Sequence, residues 1–287
     1  DTYDLLRQLS ASRAPIGNAV NRSLMRDFRI YMAVGGMPQA VAAYVEGKDF
    51  RTIDRVKRGI IDLYKDDFRK IDPSGRLSAM YDSVPSQLAL KKARFVISNA
   101  TGRRKSVKDE ELLHDLLDSK TVIACYHAAN PGIALAQSKD PDRFKLYLAD
   151  IGLFTTLMFS NGDRDDLNIY AQLLGDKLEA DLGYMYEHAV AQMIRSDGRE
   201  LFYHSWTPEA SSHSYEVDFL LTDRTKLIPV EVKSSAVKNH KSLDVFCEKY
   251  ASVVSRRILF SQKDTAHQGM LELRPIYLAP ILLDELR

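Results

Sequence analysis

Cysteine is scarce in this chain of 287 residues, where only Cys125 and Cys247 occur, far apart in the sequence. Their spacing matches neither a metal-binding motif nor a disulfide framework, which predicts a reducing, cytoplasmic compartment. Apolar runs of the ~18 residues that a membrane helix needs are absent, and the sequence has no recognisable signal peptide. We therefore expect no membrane partner.

A dominant charge of one sign is missing too, because 40 Lys and Arg residues balance 39 Asp and Glu residues. A net charge of +1 neither demands nor excludes a nucleic-acid partner, since a local basic patch can bind where the average is neutral. What is present is an ordinary globular composition, 45% hydrophobic and 28% charged, with enough length for two domains. The chain starts with Asp1 and not with Met, so we expect it to be part of a longer protein.

Helical patterns dominate residues 1–75, which we predict to be a helical segment. Leu24–Tyr31 is amphipathic at helical spacing. Gly35 and Gly36 then permit backbone angles that other residues avoid, and Pro38 suits the first turn of a new helix. A turn between two helices is therefore predicted at the glycine pair.

Residues 76–178 are predicted to form a winged-helix-like domain and a linker. The short amphipathic helix Asp109–Leu117 is preceded by Ser106, a residue suited to capping it. Two short strands follow at Thr121–His127 and Phe144–Leu148. Helices followed by a two-stranded ribbon are typical of a winged helix.

A basic cluster lies just before that helix, where residues 91–108 hold seven basic side chains and no acidic ones. Its members are Lys91, Lys92, Arg94, Arg103, Arg104, Lys105 and Lys108. Such a segment would release counterions from a nucleic-acid backbone, so DNA is the predicted partner. The helix itself is acidic, which disfavours base readout by it. The alternatives are a solvated surface loop and a winged helix that mediates only protein contacts.

Residues 179–287 are predicted to form an α/β (α+β) module. A helical pattern over 182–195 is followed by strand patterns at 200–206, 215–221 and 226–233, then by another helix and further strands. This order implies a mixed sheet flanked by helices.

Two strands of this module bring charged residues together. Side chains alternate along a strand, so Asp218 lies opposite the apolar face of its strand, and Glu231 and Lys233 share a face on the next strand. If Asp223-Arg224 forms the tip of the hairpin, Asp218 lies diagonal to Glu231. Diagonal neighbours are about 7–8 Å apart at the backbone, close enough for two carboxylates to meet one ion.

Glu187 adds a third carboxylate, because it is the only charged residue in a helical stripe of small and apolar side chains. A carboxylate that faces a core needs a partner, and a bound cation would provide one. Asp218, Glu231 and Glu187 are predicted to hold Mg²⁺ or Mn²⁺, while Lys233 stabilises charge on the transition state. The alternative is that the strand residues are solvated and that Glu187 forms an ordinary ion pair with a nearby Arg.

A resemblance follows from these residues. Glu on the first helix, Asp in the second strand and Glu-x-Lys in the third are typical of the PD-(D/E)xK nuclease superfamily. Glu187, Asp218 and Glu231-Val232-Lys233 are similar to that pattern. The resemblance implies a restriction-endonuclease-like fold in which all four charged residues serve catalysis.

A longer series of segments resembles the C-terminal region of a bacterial and archaeal family of AAA-type ATPases. The segments are Tyr31 with Gly35-Gly36-Met37-Pro38, Lys145–Leu153, Glu187, Glu216–Phe219 and Glu231–Lys233. In that family a winged helix and a nuclease-like domain follow the ATPase domain. A G-x-x-x-x-G-K-[ST] phosphate loop is absent here, so the resemblance implies an ATPase domain upstream of Asp1, and ATP would bind only there.

The leading hypothesis is a Mg²⁺-dependent, nuclease-like DNA-processing region of an AAA-type ATPase that hydrolyses phosphodiester bonds. The main alternative is a catalytically silent regulatory region of the ATPase that binds DNA or protein. A purely protein-binding adaptor is the third. The substrate's sequence and strandedness and the oligomeric state, a homo-oligomer included, stay open at this point.

Overall fold

The computed structural model describes residues 2–90, 94–159, 168–175, 183–208, 214–234, 237 and 239–287. Helices flank two mixed sheets, so the predicted α+β fold class is confirmed. Among the described residues, none of the helices combines the length and the apolar character that a bilayer crossing demands.

The helices and strands are numbered in chain order. The helices are α1 (Thr2–Ala11), α2 (Asn18–Val34), α3 (Pro38–Val45), α4 (Phe50–Ile71), α5 (Arg76–Asp82), α6 (Val84–Ala89), α7 (Ile97–Thr101), α8 (Val107–Asp118), α9 (Ile151–Met158), α10 (Asn168–Leu174), α11 (Gly183–Ser196), α12 (Lys241–Lys249) and α13 (Ala279–Glu285). The strands are β1 (Val122–Ala128), β2 (Lys139–Leu148), β3 (Leu201–Trp206), β4 (Tyr215–Val217), β5 (Phe219–Asp223), β6 (Lys226–Val232), β7 (Arg257–Ser261), β8 (Ala266–Gln268) and β9 (Leu271–Pro275).

Internal contacts divide the chain into two compact units. The first unit comprises Asp1–Met25, Cys125–Phe144 and Met193–Arg287, and the second comprises Arg26–Ala124 and Lys145–Gln192. The segments predicted from the sequence, 1–75, 76–178 and 179–287, are a different division and stay a prediction. Residues 178 and 179 lie outside the described residues.

The four-stranded sheet has the order β2-β1-β3-β4. β1 pairs in parallel with β3, from Cys125 opposite Leu201 to His127 opposite Tyr203. The ribbon predicted to be a two-stranded wing is therefore part of a larger sheet, with β1 as an inner strand. β1 is buried along most of its length, which is typical of a strand covered on both faces.

The five-stranded sheet has the order β5-β6-β7-β9-β8, with β6, β7 and β9 parallel and the two edge strands antiparallel. Asp223 pairs with Lys226, so Arg224 and Thr225 form the tip of the β5–β6 hairpin. The predicted tip was wrong, and the pairing is shifted by two residues. Because side chains alternate with a period of two, this shift leaves every side chain on its predicted face.

Helix α12 covers one face of the five-stranded sheet. Leu243 and Phe246 of this helix pack in one core cluster with Leu227 of β6 and Leu259 of β7. Leu227 and Glu231 point to the same side of β6, since they are separated by an even number of residues. α12 therefore lies on the face from which Glu231 projects.

The glycine pair of the second unit meets the start of α9. Asp150 is the N-cap of that helix: its Oδ1 accepts from Leu153 N at 2.8 Å and its Oδ2 from Gly36 N at 2.6 Å. The backbones of Gly35 and Gly152 approach so closely that a Cβ on Gly152 would lie 2.6 Å from the Cα of Gly35. Two segments of the family resemblance thus have a packing role.

Lys57 lies beneath this crossing and is fully buried. Its Nζ donates to the carbonyl of Ala33 at 2.6 Å, to that of Gly152 at 3.2 Å and to the Tyr170 hydroxyl at 3.0 Å. Burial lowers the pKa of Lys57 to about 8. The amine thus gives a donor to the Ala33 carbonyl at the end of α2, where helix carbonyls lack an intrahelical partner.

Candidate functional site

Glu231 and Lys233 form an ion pair at the carboxyl end of β6. Nζ of Lys233 lies 2.5 Å from Oε1 of Glu231, and the two side chains are 33% and 5% exposed, respectively. The pair follows from the strand geometry, because residues two apart share a face. The ammonium of Lys233 is therefore accessible to solvent, whereas the carboxylate of Glu231 is buried.

The second oxygen of Glu231 distinguishes this pair from an ordinary salt bridge. Oε2 is buried and has no hydrogen-bond partner within the described ranges. Burial raises the pKa of Glu231, whereas the nearby Lys233 and His240 act in the opposite direction. A buried acceptor left unsatisfied costs roughly 1–3 kcal/mol and calls for an explanation.

Asp218 lies between β4 and β5 and separates them, where the sequence pattern predicted one continuous strand. Its Oδ2 accepts from the backbone N–H of Val232 at 2.8 Å. The pairing of Phe219 with Val230, continued by one residue, sets Asp218 opposite Glu231 and not diagonal to it. The structure therefore brings together three of the predicted site residues, Asp218, Glu231 and Lys233.

Glu187 belongs to the second unit, whereas these three residues belong to the first. Its Oε1 accepts from Lys145 Nζ at 3.0 Å and from the hydroxyl of Tyr147. The carboxylate thus has a cationic partner, as the alternative interpretation expected, although that partner is a lysine and not an arginine. The role of Glu187 as a metal ligand stays a prediction.

The donor set can be compared with the needs of a hard divalent cation. Within the described part of the chain, no group of three or more His, Cys, Asp or Glu side chains is arranged to hold a metal ion. Mg²⁺, however, commonly uses one or two carboxylates and keeps several waters. Asp218 and Glu231, with the unpartnered oxygen of Glu231, fit that smaller requirement.

His240, the N-cap residue of α12, and Asp244 of α12 are neighbours of the site that were not assigned to it from the sequence. Nδ1 of His240 lies 2.8 Å from Oδ2 of Asp244, a close contact without the angles of a hydrogen bond. Oδ1 of Asp244 lies 3.5 Å from Nη1 of Arg257 on β7. The spacing of four residues on a helix was the signal that could have identified the His240–Asp244 pair.

His127 of β1 and His204 of β3 lie with their rings side by side, with centroids 5.4 Å apart. A ring nitrogen of each contacts a backbone carbonyl, that of Ser205 and that of Ala128, respectively. Burial lowers the pKa of His204 to about 4 and also lowers that of His127. Both rings are therefore neutral residues of a core near pH 7.

The basic cluster is only partly described, because Lys91 and Lys92 lie outside the described residues. Its exposed members are Arg94, Arg103, Arg104, Lys105 and Lys108. Lys105 is paired with Glu110 at 2.7 Å. Asp109 is not one of the acidic surface residues of α8, since it is fully buried and contacts Arg76 at 3.0 Å.

Two family models match the chain. Residues 25–165 match one described as a domain of unknown function, DUF8612, and residues 182–276 match another described in the same words, DUF4143. DUF4143 is found C-terminal to AAA ATPase domains, which confirms this coarser part of the resemblance for residues 182–276.

Other comparisons are less informative. No curated protein matches the chain. Among solved structures, the crystal structure of protein VC1899 from Vibrio cholerae is similar at 13% identity with a TM-score of 0.26. The match covers 81% of this chain and 55% of that one, so the chain spans about half the length of that protein. A TM-score this low does not establish a shared fold.

Proposed function

We propose that the chain carries a nuclease-like site for phosphodiester hydrolysis at the carboxyl end of β6, within a DNA-processing region of an AAA-type ATPase. One observation carries the proposal: Glu231 holds a buried oxygen that has no hydrogen-bond partner among the described residues, next to Lys233 and opposite Asp218. Arrangements that cost stability in this way are concentrated at functional sites. A cytoplasmic location belongs to the proposal, since both cysteines are free.

Mg²⁺ or Mn²⁺ is the cofactor proposed for this site, with Asp218 and Glu231 as the residues that would hold it. When bound, such an ion polarises a phosphate oxygen and lowers the pKa of a bound water. Lys233 is one-third exposed, so its ammonium is able to meet a phosphate oxygen and stabilise the charge that develops there. The Val232 amide keeps the carboxylate of Asp218 in place.

Cleavage of a supercoiled plasmid and of a single-stranded oligonucleotide, each with Mg²⁺ or Mn²⁺, tests the proposal. Asp218→Asn keeps an acceptor for the Val232 amide, and Lys233→Ala removes the proposed cation. Each should reduce cleavage at least ~10²-fold, the usual effect of losing one transition-state contact. Lys226→Ala, an exposed change at the other end of β6, is the matched control and should cut as the parent does. Equal cleavage by all three variants and the parent would refute the proposal.

The alternative function is a catalytically silent regulatory region that binds DNA or protein. Two observations favour it: Glu231 already pairs with Lys233, and the described residues hold no three-ligand group for a metal. Calorimetric titration with Mn²⁺ separates the two functions. Absence of metal binding together with salt-dependent DNA affinity would support the silent DNA-binding region. Absence of both would leave the protein-binding adaptor.

A further inference from the structure

The connection between β6 and β7 places the start of α12 near the candidate site. β6 and β7 are parallel, with Glu231 opposite Leu259, so the chain must return along the sheet between them. The return ends near the start of β6, where the N–H of Leu227 donates to the carbonyl of Val253 at 2.8 Å. The start of α12 therefore lies at the opposite end, near the carboxyl end of β6, the edge at which open α/β sheets bind ligands.

His240 is the N-cap residue of α12 and lies at this edge. Its side chain is 20% exposed, and its Nδ1 faces the carboxylate of Asp244. Because the Asp244 carboxylate lies beside Nδ1, the other ring nitrogen, Nε2, is the atom that can reach a ligand. Asp244 is in turn held near Arg257 of β7.

The causes of the raised pKa of Glu231 agree with the position that the topology gives to the same pair. After burial, which raises the pKa of Glu231, the nearby charges that influence it are Lys233, His240 and Asp244. His240 and Lys233 lower that pKa, and Asp244 raises it. The start of α12 and the end of β6 thus share one electrostatic environment, in agreement with the topology.

We infer that His240 is a further substrate-contacting residue in its imidazolium form, in which Nδ1–H faces Asp244 and Nε2–H donates a hydrogen bond to a phosphodiester oxygen of a nucleic-acid strand, and that Asp244 is its positioning residue. The inference rests on the proposed function, because it assigns a substrate group to the same site. The carboxylates of Asp218 and Glu231 repel a phosphodiester, so a nucleic-acid strand that approaches them needs hydrogen-bond donors on both sides of this carboxylate pair. Lys233 supplies one from β6, and His240 supplies the other from α12.

His240→Ala, Asp244→Asn and His267→Ala are the variants for the test. His267 is the control, since it lies exposed on β8 of the same unit. We expect His240→Ala to lower kcat/KM for Mn²⁺-dependent oligonucleotide cleavage about 10²-fold, with His267→Ala at the parent value. Asp244→Asn should give a smaller loss and should shift the Nδ1 signal of the His240 ring in nitrogen NMR spectra, because it removes the charge beside that nitrogen, whereas a residue that only supports α12 would leave that signal in place.

A second measurement does not depend on turnover. The full chain is titrated with a short single-stranded oligonucleotide, with Ca²⁺ in place of Mg²⁺, while the histidine ring signals are recorded by NMR. We expect the His240 signals to move and those of His267 to stay. If the parent does not cleave but His240 responds, the proposed hydrolysis fails and the contact stands. If the parent cleaves and His240→Ala cleaves equally well, the contact is refuted and hydrolysis stands. If His240 does not respond to the oligonucleotide, the contact is refuted whatever the cleavage result.

Discussion

Gly35 and Gly152 lie at a close crossing of two backbone segments. Four glycine-to-alanine substitutions in the second unit distinguish the effect of backbone conformation on stability from the effect of packing. Gly35 has a φ of +81°, and a Cβ there would lie 2.3 Å from Oδ1 of Asp150. Gly47 has a similar φ of +76°, but no atom of the described residues lies within 4 Å of where its Cβ would be. Gly152 is the opposite of Gly47: its φ is not positive, but a Cβ there would lie 2.4 Å from the carbonyl oxygen of Val34.

The expected changes in the free energy of unfolding follow from these contacts. Gly47→Ala puts a side chain on a left-handed backbone without any steric overlap, so the free energy of unfolding should fall by about 1–2 kcal/mol. Gly152→Ala introduces only a steric overlap, which in packed interiors costs about 1–3 kcal/mol. Gly35→Ala introduces both effects, so a loss of about 2–5 kcal/mol is expected. Gly59 is helical with open space around it, and Gly59→Ala should stabilise by about 0.5–1 kcal/mol.

Urea unfolding followed by circular dichroism, with the same full chain for each variant, measures this series. Because the chain has two units, the midpoint of the transition that includes the second unit is the quantity to compare. The order Gly59→Ala, parent, Gly47→Ala, Gly35→Ala is expected from most to least stable. A Gly35→Ala protein as stable as the Gly47→Ala protein would show that the crossing can relax and that the packing argument is wrong.

Further predictions concern a buried histidine, a buried carboxylate and the basic cluster. Burial lowers the pKa of His188 to about 3, so the unfolded chain binds more protons than the folded one below its usual pKa of ~6.5. Above about pH 6.5 the buried, neutral His188 should not reduce the free energy of unfolding. The free energy of unfolding should fall by about 2 kcal/mol by about pH 5 and decline further as the pH approaches the folded pKa. Unfolding measured across this pH range should show a shallower slope in His188→Gln. Asp109→Ala removes the buried partner of Arg76 and should cost about 3–5 kcal/mol in urea melts. Combined Arg103→Ala and Arg104→Ala should reduce the dependence of log DNA affinity on log salt by about two units in fluorescence anisotropy. An unchanged slope would exclude these residues from the DNA contact.

Local sequence patterns predict the elements whose stabilising contacts are near in sequence. β7, Arg257–Ser261, is one of the further strands predicted after the second helix of the module, because a short apolar run with β-branched and aromatic residues specifies a buried strand. The turn at the glycine pair and the helix that begins at Pro38 also lie where they were predicted. Ser106 caps α8 as its position indicated.

The errors arise where a tip residue or a distant partner decides the structure. Arg224 adopts a φ of +51° at the hairpin tip, where no glycine marks the turn. Glu187 meets Lys145 and Tyr147, which are 42 and 40 residues away in the sequence. Periodicity contains no information on such partners. The candidate site was predictable up to the shared face of Asp218, Glu231 and Lys233, whereas His240 required the path of α12.

The division of the units has a consequence for fragments of this chain, because α2, β1, β2 and α11 each contain residues of both units. A piece that starts at residue 179 would keep β3 but lose Cys125–His127, with which β3 pairs. That edge of β3 would then expose unpaired backbone N–H and C=O groups, which can pair with a strand of another chain and cause aggregation. Any truncated protein used to study Asp218 and Glu231 should therefore retain β1, and the linear order of the sequence is a poor guide to where this chain can be cut.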